Sequence, residues 1–167
     1  GNIATSYRSG SATLRDPYII SDGSELAYFA QSLETTNYAG VYFQLGNNIV
    51  LNKGTFSYDE VNGITYEEDG ITYYVGAYGH ALYTDAGRQN AAEKNVQIFP
   101  SLKNFAGTFD GDSYTIYGAY VTSENEEVGL FTNLTGDIEN LYVDNAMVYG
   151  GSVTGGIASS SVSSDLE

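Results

Sequence analysis

The amino-acid sequence predicts an all-β solenoid, in which the chain winds through stacked coils of short strands. Runs of β-branched and aromatic residues recur along the chain and are separated by Gly, Asn and Asp. The pattern Ile-x-x-x-Tyr-Val begins at Ile116 and begins again 22 residues later at Ile138. Such a repeat is typical of coils that bury their inward side chains on the next coil.

The repeat also predicts how the coils stack. Four pairs of residues match at the same offset, namely Phe109 with Phe131, Ile116 with Ile138, Tyr120 with Tyr142, and Val121 with Val143. We expect the pairs Ile116/Ile138 and Val121/Val143 to face the interior. A looser echo aligns 129–131 with 156–158, at an offset of 27 residues. The alternative is a β-sandwich, whose strands also carry Ile, Val and Tyr at loose intervals, but four matches at one offset favour the solenoid.

The composition limits the functions that are open to the chain. Its 167 residues suit one domain, and 6 Lys and Arg against 21 Asp and Glu give a net charge of −15. This charge excludes a nucleic-acid-binding surface, which needs clustered basic side chains. The absence of Cys excludes disulfides and thiolate metal sites, and one His cannot form a zinc site. No apolar run approaches the ~20 residues of a membrane span, so the expected partners are uncharged, cationic or sugar-like.

One helix is predicted near the start, after a polar leader over 1–16 and a short strand at 18–20. Asp22 can accept hydrogen bonds as the N-cap, and Glu25 three residues later completes a capping box. The apolar residues of 22–34 recur at i, i+3, i+4 and i+7 and form one face: Leu26, Phe29, Ala30 and Leu33. Because a helix this short is marginal alone in water, we expect it to cap the N-terminal end of the solenoid.

The segment 17–54 is expected to hold this cap helix and the first coil, with further strands at 42–45 and 48–51. The segment 55–96 then changes character. It contains a near-duplicate, N-G-I-T-Y and D-G-I-T-Y, in which each copy begins with a turn dipeptide. This duplication predicts a tyrosine-rich β-hairpin that projects from the body as an acidic insertion.

The coils are expected to resume over 97–159, and 160–167 form a polar tail. A solenoid needs a cap at both ends, and no cap is apparent after the last coil. We therefore expect 1–167 to be a single domain that belongs to a longer protein.

Six motifs occur in an order that matches one family of proteins. The most specific is F-A-G-T-F-D-G-D-S-Y-T-I at 105–116, similar to the family motif F-x-G-T-F-D-G-x-x-x-T-I. The others are D-P-Y-I-I-S with E-L-A-Y-F-A at 16–30, Y-F-Q-L-G-N-N-I-V-L at 42–51, V-G-L-F at 128–131, G-D-I-E-N-L at 136–141 and V-T-G-G-I-A-S at 153–159. Together they resemble bacterial cell-surface or secreted β-helix proteins that carry the GLUG motif, of which 153–159 looks like one copy.

The resemblance spans about 16–53 and 98–159 and omits the insertion. The sequence departs from the family at Asn48, where Asp is usual, and at 98–102, where I-F-P-S-L stands in place of W-x-P-I-G. The resemblance implies a right-handed parallel β-helix on a secreted or cell-surface protein. Such modules occur in adhesin-like anchored proteins and beside the catalytic part of some IgA-cleaving metallopeptidases.

The insertion also holds the candidate binding residues. A tyrosine ring offers a flat apolar face with a polar tip, which suits contact with sugars or protein surfaces. Insertions on a rigid scaffold often carry function. The alternative is that these rings pack on the hairpin itself, as aromatic residues often do in strands. The candidates are Tyr58, Tyr66, Tyr73, Tyr74, Tyr78 and Tyr83.

The remaining polar residues give weaker candidates. The run Asp110-Gly111-Asp112 predicts a tight turn in which Asp caps backbone N–H groups. Asp110 and Asp112 are also a weak calcium candidate, because Ca²⁺ prefers oxygen ligands, but two carboxylates do not form a cage. A role in a glycosidase carboxylate pair is less favoured still, and His80 has no evident triad partners. We expect no catalytic residue, no resident metal and no cofactor.

The sequence thus favours a non-enzymatic bacterial surface module for cell adhesion or ligand binding, which displays its insertion to a host or environmental protein or glycan. Two alternatives stay open. One is an accessory, substrate-positioning domain of a secreted peptidase or carbohydrate-active enzyme, and the other is a passive stalk. We expect a monomer at an extracellular or cell-surface location, with no contact with nucleic acid and no insertion into a membrane.

Overall fold

The chain folds into a β-solenoid of about four turns, with one short helix, which confirms the predicted all-β class. The computed structural model describes residues 3–7, 9–61, 63–75, 82–84, 96–123, 129–150 and 152–154. In chain order the elements are β1 (Tyr18–Ile20), α1 (Gly23–Ser32), β2 (Tyr42–Leu45), β3 (Ile49–Val50), β4 (Thr55–Asp59), β5 (Gly63–Glu68), β6 (Ile71–Val75), β7 (Leu82–Thr84), β8 (Leu102–Lys103), β9 (Thr108–Asp110), β10 (Thr115–Tyr117), β11 (Tyr120–Ser123), β12 (Phe131–Thr132), β13 (Asp137–Glu139), β14 (Tyr142–Asp144), β15 (Met147–Gly150) and β16 (Ser152–Thr154).

Successive coils pair in parallel on four sides of the solenoid. The first side holds β1, β2, β9 and β13 in that order, and the second holds β3, β10 and β14. On the third side Ile98 bridges to Tyr120 of β11, and β11 pairs with β15. The fourth side holds β8 and β12. Strand β16 turns back and pairs antiparallel with β15.

The stacking register differs from the predicted one. Ile116 pairs with Val143, and Val121 pairs with Val148. The predicted stacks Ile116/Ile138 and Val121/Val143 are therefore wrong, and the offset on these two sides is 27 residues. All four sides carry similar Ile, Val and Tyr patterns, so an offset of 22 aligned β10 with a strand on the neighbouring side. The looser echo had the offset of 27, although its second copy lies outside the described residues.

The helix begins at the predicted capping box. The Asp22 carboxylate accepts a hydrogen bond from the Glu25 N–H at 2.8 Å, and the Glu25 carboxylate accepts one from the Ser21 N–H at 3.0 Å. These two bonds satisfy backbone donors that a helix start would otherwise leave unpaired. The helix is shorter than the predicted 22–34, while its predicted apolar face is buried.

Phenylalanine rings fill the interior of the solenoid. The ring of Phe29 in α1 lies 4.7 Å from that of Phe43 and 5.3 Å from that of Phe105, measured between centroids. Phe109 and Phe131 are 5.9 Å apart in the next coils. All five rings are buried. Burial of one such side chain contributes about 1.5–3 kcal/mol, so these contacts hold the helix and the coils together.

The leader is bound to the body rather than free of it. The Tyr7 ring stacks on Tyr18 at 4.7 Å and its hydroxyl lies 3.0 Å from the Tyr38 hydroxyl. Burial raises the pKa of Tyr7 above its ordinary value. The Ser9 carbonyl accepts a hydrogen bond from the Ile19 N–H, which pairs the open edge of β1. The leader therefore covers the end of the first sheet.

One corner of the solenoid is built from asparagine and glycine. The Asn52 amide group is buried and donates to the carbonyls of Gln97 and Gly118, each at 2.9 Å. Gly118 has a φ of +75°, and a β-carbon there would lie 2.0 Å from the Asn52 carbonyl oxygen. Only glycine fits this close approach of two coils.

Candidate functional site

The insertion contains a four-stranded antiparallel sheet of β4, β5, β6 and β7, which we call the insertion sheet. Its β5–β6 hairpin matches the duplicated motif, with Asp69 and Gly70 both at positive φ in the turn. A second turn joins β4 to β5, and β7 pairs with β6. The predicted hairpin is therefore present and is extended by a strand on each side.

One face of the insertion sheet packs on the third side of the solenoid. Phe56, Ile64 and Tyr66 are buried against Tyr120 and Met147. The rings of Phe56 and Tyr120 meet edge to face, 5.3 Å apart with an interplanar angle of 89°, a favourable aromatic geometry. We call this the inner face. The sheet thus lies on the coils, where a projecting hairpin was predicted, because its inner face is apolar.

Tyr66 fixes the start of the insertion to its second strand. Its hydroxyl accepts a hydrogen bond from the Gly54 N–H at 2.7 Å and donates one to the Glu68 carboxylate at 2.6 Å. The side chain is 2% exposed. Burial, and then the hydrogen bond to Glu68, raise the pKa of Tyr66 to about 12. This ring is part of the packing between sheet and solenoid and offers no open face to a ligand.

Asn145 makes the second connection between the insertion and the coils. Its side-chain oxygen accepts a hydrogen bond from the Phe56 N–H at 2.8 Å, and its side-chain nitrogen donates to the Gly54 carbonyl. Asn145 sits at a φ of +52° in a solenoid turn. Sequence reasoning did not single it out. Its spacing of 27 residues from Gly118, a single coil, was the signal that could have found it.

Strand alternation separates the candidate tyrosines. Tyr58 and Tyr73 have the parity of the inner face; Tyr58 is 48% exposed, and Tyr73 is half-buried against the cluster. Tyr74 has the opposite parity and is half-buried, and the register pairs it with Tyr83 of β7. The side chain of Tyr83, and the whole of Tyr78 and His80, lie outside the described residues.

The opposite face of the insertion sheet, which we call the outer face, is polar. Cross-strand pairs on this face are Ser57 with Thr65, Thr65 with Tyr74, and Glu67 with Thr72. Hydroxyl groups, one carboxylate and a tyrosine ring are thus arranged on neighbouring strands. This combination can donate and accept hydrogen bonds and can stack on a flat apolar patch.

The Asp110 and Asp112 carboxylates do not converge on a common point. The Asp110 carboxylate accepts hydrogen bonds from the Asp112 N–H at 2.8 Å and from the Asn140 side chain at 3.3 Å. Asp112 is exposed and has a φ of +50°. The geometry is that of the predicted aspartate turn. Within the described part of the chain, no group of three or more His, Asp or Glu side chains is placed to hold a metal ion.

Comparison with known proteins gives no relative for this chain. No family profile, no curated protein and no solved structure matches it. In the described ranges, the helix is too short to cross a membrane. The geometry of the insertion sheet is therefore the main structural guide to function.

Proposed function

We propose that the chain is a non-enzymatic, extracellular or cell-surface binding module, in which the solenoid is the scaffold and the outer face of the insertion sheet binds the ligand. The observation that carries the proposal is the two-sided build of this sheet. Its apolar inner face is buried on the coils, while its polar outer face is turned to solvent. A binding surface held in this way loses little conformational entropy on association.

The anchoring contacts support a rigid platform. Tyr66 bonds to Gly54, and Asn145 bonds to both Gly54 and Phe56. These contacts join β4 and β5 to the adjacent coil through hydrogen bonds as well as through apolar packing. Constraints of this kind orient a surface for recognition without requiring the sheet to fold on binding.

The chemistry of the outer face favours a neutral or cationic ligand. Tyr74 can stack on an apolar patch, and Thr65 and Thr72 can exchange hydrogen bonds with hydroxyl or amide groups. The net charge of −15 disfavours an acidic partner. A neutral glycan and a basic protein surface both meet these conditions, and they are the two ligand classes that the proposal covers.

The finer fold assignments belong to the same proposal. Strand β1, helix α1 and the parallel strand β2 form one β-α-β unit, and such crossovers are almost always right-handed. Leu26 and Phe29 are buried against the interior, which supports a capping role for α1. The ordered motifs support membership of the GLUG-type surface proteins.

The test is a binding screen with the purified chain. The probes are an array of neutral glycans and a panel of purified extracellular-matrix proteins, and each binder is then measured with Tyr74→Ala. Because an interfacial tyrosine is often a dominant contact, we expect this variant to weaken binding by about tenfold or more.

Tyr142→Ala is the matched control, since Tyr142 is an exposed tyrosine on the second side of the solenoid. It should leave the dissociation constant within about twofold. A ligand that binds both variants equally would place the binding surface elsewhere. No binder among glycans and matrix proteins would favour the passive stalk.

A further inference from the structure

A groove of about 620 Å³ lies between helix α1 and the segment 97–104. We call it the α1 groove. It is remote in sequence from the insertion and falls within the size range of about 300–1,000 Å³ typical of ligand sites. Its walls include Gly23, Ala27, Ala30 and Glu34 on the helix side and Ser101 and Lys103 on the opposite side.

The groove exists because a helix packs where the preceding coil would place a strand. Paired strands lie about 4.8 Å apart, whereas a helix with its side chains is about 10–12 Å wide. Gly23, Ala27 and Ala30 recur at i, i+4 and i+7, so they share one side of α1. Their small side chains leave the space between the helix and β8 open.

The strand that borders the groove has an unused edge. The N–H groups of Leu102 and Asn104 donate to the carbonyls of Leu130 and Thr132, at 2.7 and 2.9 Å. Because alternate residues of a strand direct their backbone groups to opposite edges, the N–H and C=O of Lys103 point away from β12. Among the described strands, β12 is the one that pairs with β8.

The neighbouring backbone shows how such an edge is satisfied when a partner is present. Asn52 accepts a hydrogen bond from the Gln97 N–H and donates to the Gln97 carbonyl, both at 2.9 Å. Its side chain thus imitates a paired strand at that residue. The edge that follows, from Ser101 to Lys103, borders the groove instead.

We propose that the α1 groove binds an extended peptide segment of another protein, which adds as a strand to the open edge of β8. Backbone pairing to Lys103 supplies the register, and the small residues of α1 leave room for the added chain. The groove has one acidic and one basic rim residue, Glu34 and Lys103, both exposed. The charge of −15 over the whole chain favours a peptide with basic residues on either side of its paired core.

A displayed library of random heptapeptides, selected on the intact chain, is the probe. Each selected peptide is remade with single backbone N-methyl groups and as its mirror image in D-amino acids. An added strand pairs through alternate residues, so N-methylation should weaken binding by about tenfold or more at alternate positions only. The D-peptide keeps charge and hydropathy but cannot form the same ladder, and it should not compete.

Two variants of one residue test the protein side. Lys103→Pro removes the N–H that faces the groove and is compatible with an edge strand, whereas Lys103→Ala keeps this N–H and removes the charge. We expect the Pro variant to lose binding and the Ala variant to stay within about threefold of the natural chain. Circular dichroism and the melting temperature establish that both variants are folded.

A third variant, Ala27→Leu, fills the groove from the helix side and should also lose binding while β8 is unchanged. The proposal is overturned if no peptide is selected, if L- and D-peptides bind alike, or if Lys103→Pro binds as well as Lys103→Ala. Concentration-dependent self-association that is abolished by Lys103→Pro would also overturn it, because the occupant would then be a second copy of the chain.

Discussion

Phe56 and Tyr120 meet edge to face with their ring centroids 5.3 Å apart, and this contact joins the insertion to the solenoid. Phe56 is the first core residue of the insertion sheet, and Tyr120 begins β11 in the second coil. Both side chains are buried. The orientation of the outer face depends on this contact and on the hydrogen bonds around it, so stability measurements can test the proposed platform without a known ligand.

Replacement of Phe56 should weaken the whole fold. Phe56→Ala removes a buried ring and leaves a cavity beside Tyr120, which costs about 3–5 kcal/mol. The control is Tyr58→Ala, two residues along the same strand, where the side chain is about half exposed. Urea unfolding gives both free energies of unfolding. Equal losses in the two variants would show that the inner face is not packed as described.

The side chain of Asn145 should be worth more than that of a similar turn asparagine. Asn145 and Asn140 have φ values of +52° and +50°, so glycine suits both backbones. Asn145→Gly removes two hydrogen bonds to the insertion and should cost about 1–3 kcal/mol. Asn140→Gly removes an exposed contact and should change stability by less than about 0.5 kcal/mol. The comparison by urea unfolding fails if both variants lose the same amount.

Two glycines of equal backbone conformation should respond differently to alanine. Gly118 and Gly70 have φ values of +75° and +78°, but a β-carbon meets the Asn52 carbonyl at Gly118 and open space at Gly70. Gly70→Ala should cost about 1–2 kcal/mol from backbone strain alone. Gly118→Ala should cost clearly more, because two coils must also separate. Similar melting temperatures for the two variants would contradict the close approach at this corner.

Tyr66 should make stability depend on alkaline pH. Its pKa is raised from 10.0 to about 12 in the folded chain, so the folded state disfavours the phenolate. The contribution is fully present below pH 10 and is lost as the pH rises through about 12, by roughly 2 kcal/mol. Tyr66→Phe should be less stable than the natural chain at pH 8, and the difference should shrink between pH 10 and 12. A constant difference over this range would contradict the assignment.

Local sequence signals identified several elements and failed on long-range register. The capping box at Asp22 and Glu25 gave the helix start because its hydrogen bonds are local. The turn at Asp69-Gly70 gave the hairpin for the same reason. The pairing of Ile116 with Val143 was not accessible, because four sides of the coil present similar apolar patterns.

The candidate site was predicted at the level of the segment and not of its faces. The tyrosines of the insertion were grouped by composition, yet strand parity assigns Tyr66 to the inner face and Tyr74 to the outer face. Parity could have been read along each strand. What decides which parity is inward is the contact with Tyr120 and Met147, which are more than 50 residues away in sequence.

The most direct test of the platform is thiol labelling in this naturally cysteine-free chain. Ser57→Cys places a thiol on the outer face, and Ile64→Cys places one on the inner face, where Ile64 is 5% exposed. We expect Ser57→Cys to react with an aromatic disulfide reagent at the rate of an exposed thiol. Ile64→Cys should react at least about a hundredfold more slowly, because the sheet must first open. Equal rates at the two positions would mean that the insertion sheet stands free of the solenoid, and the platform would not exist.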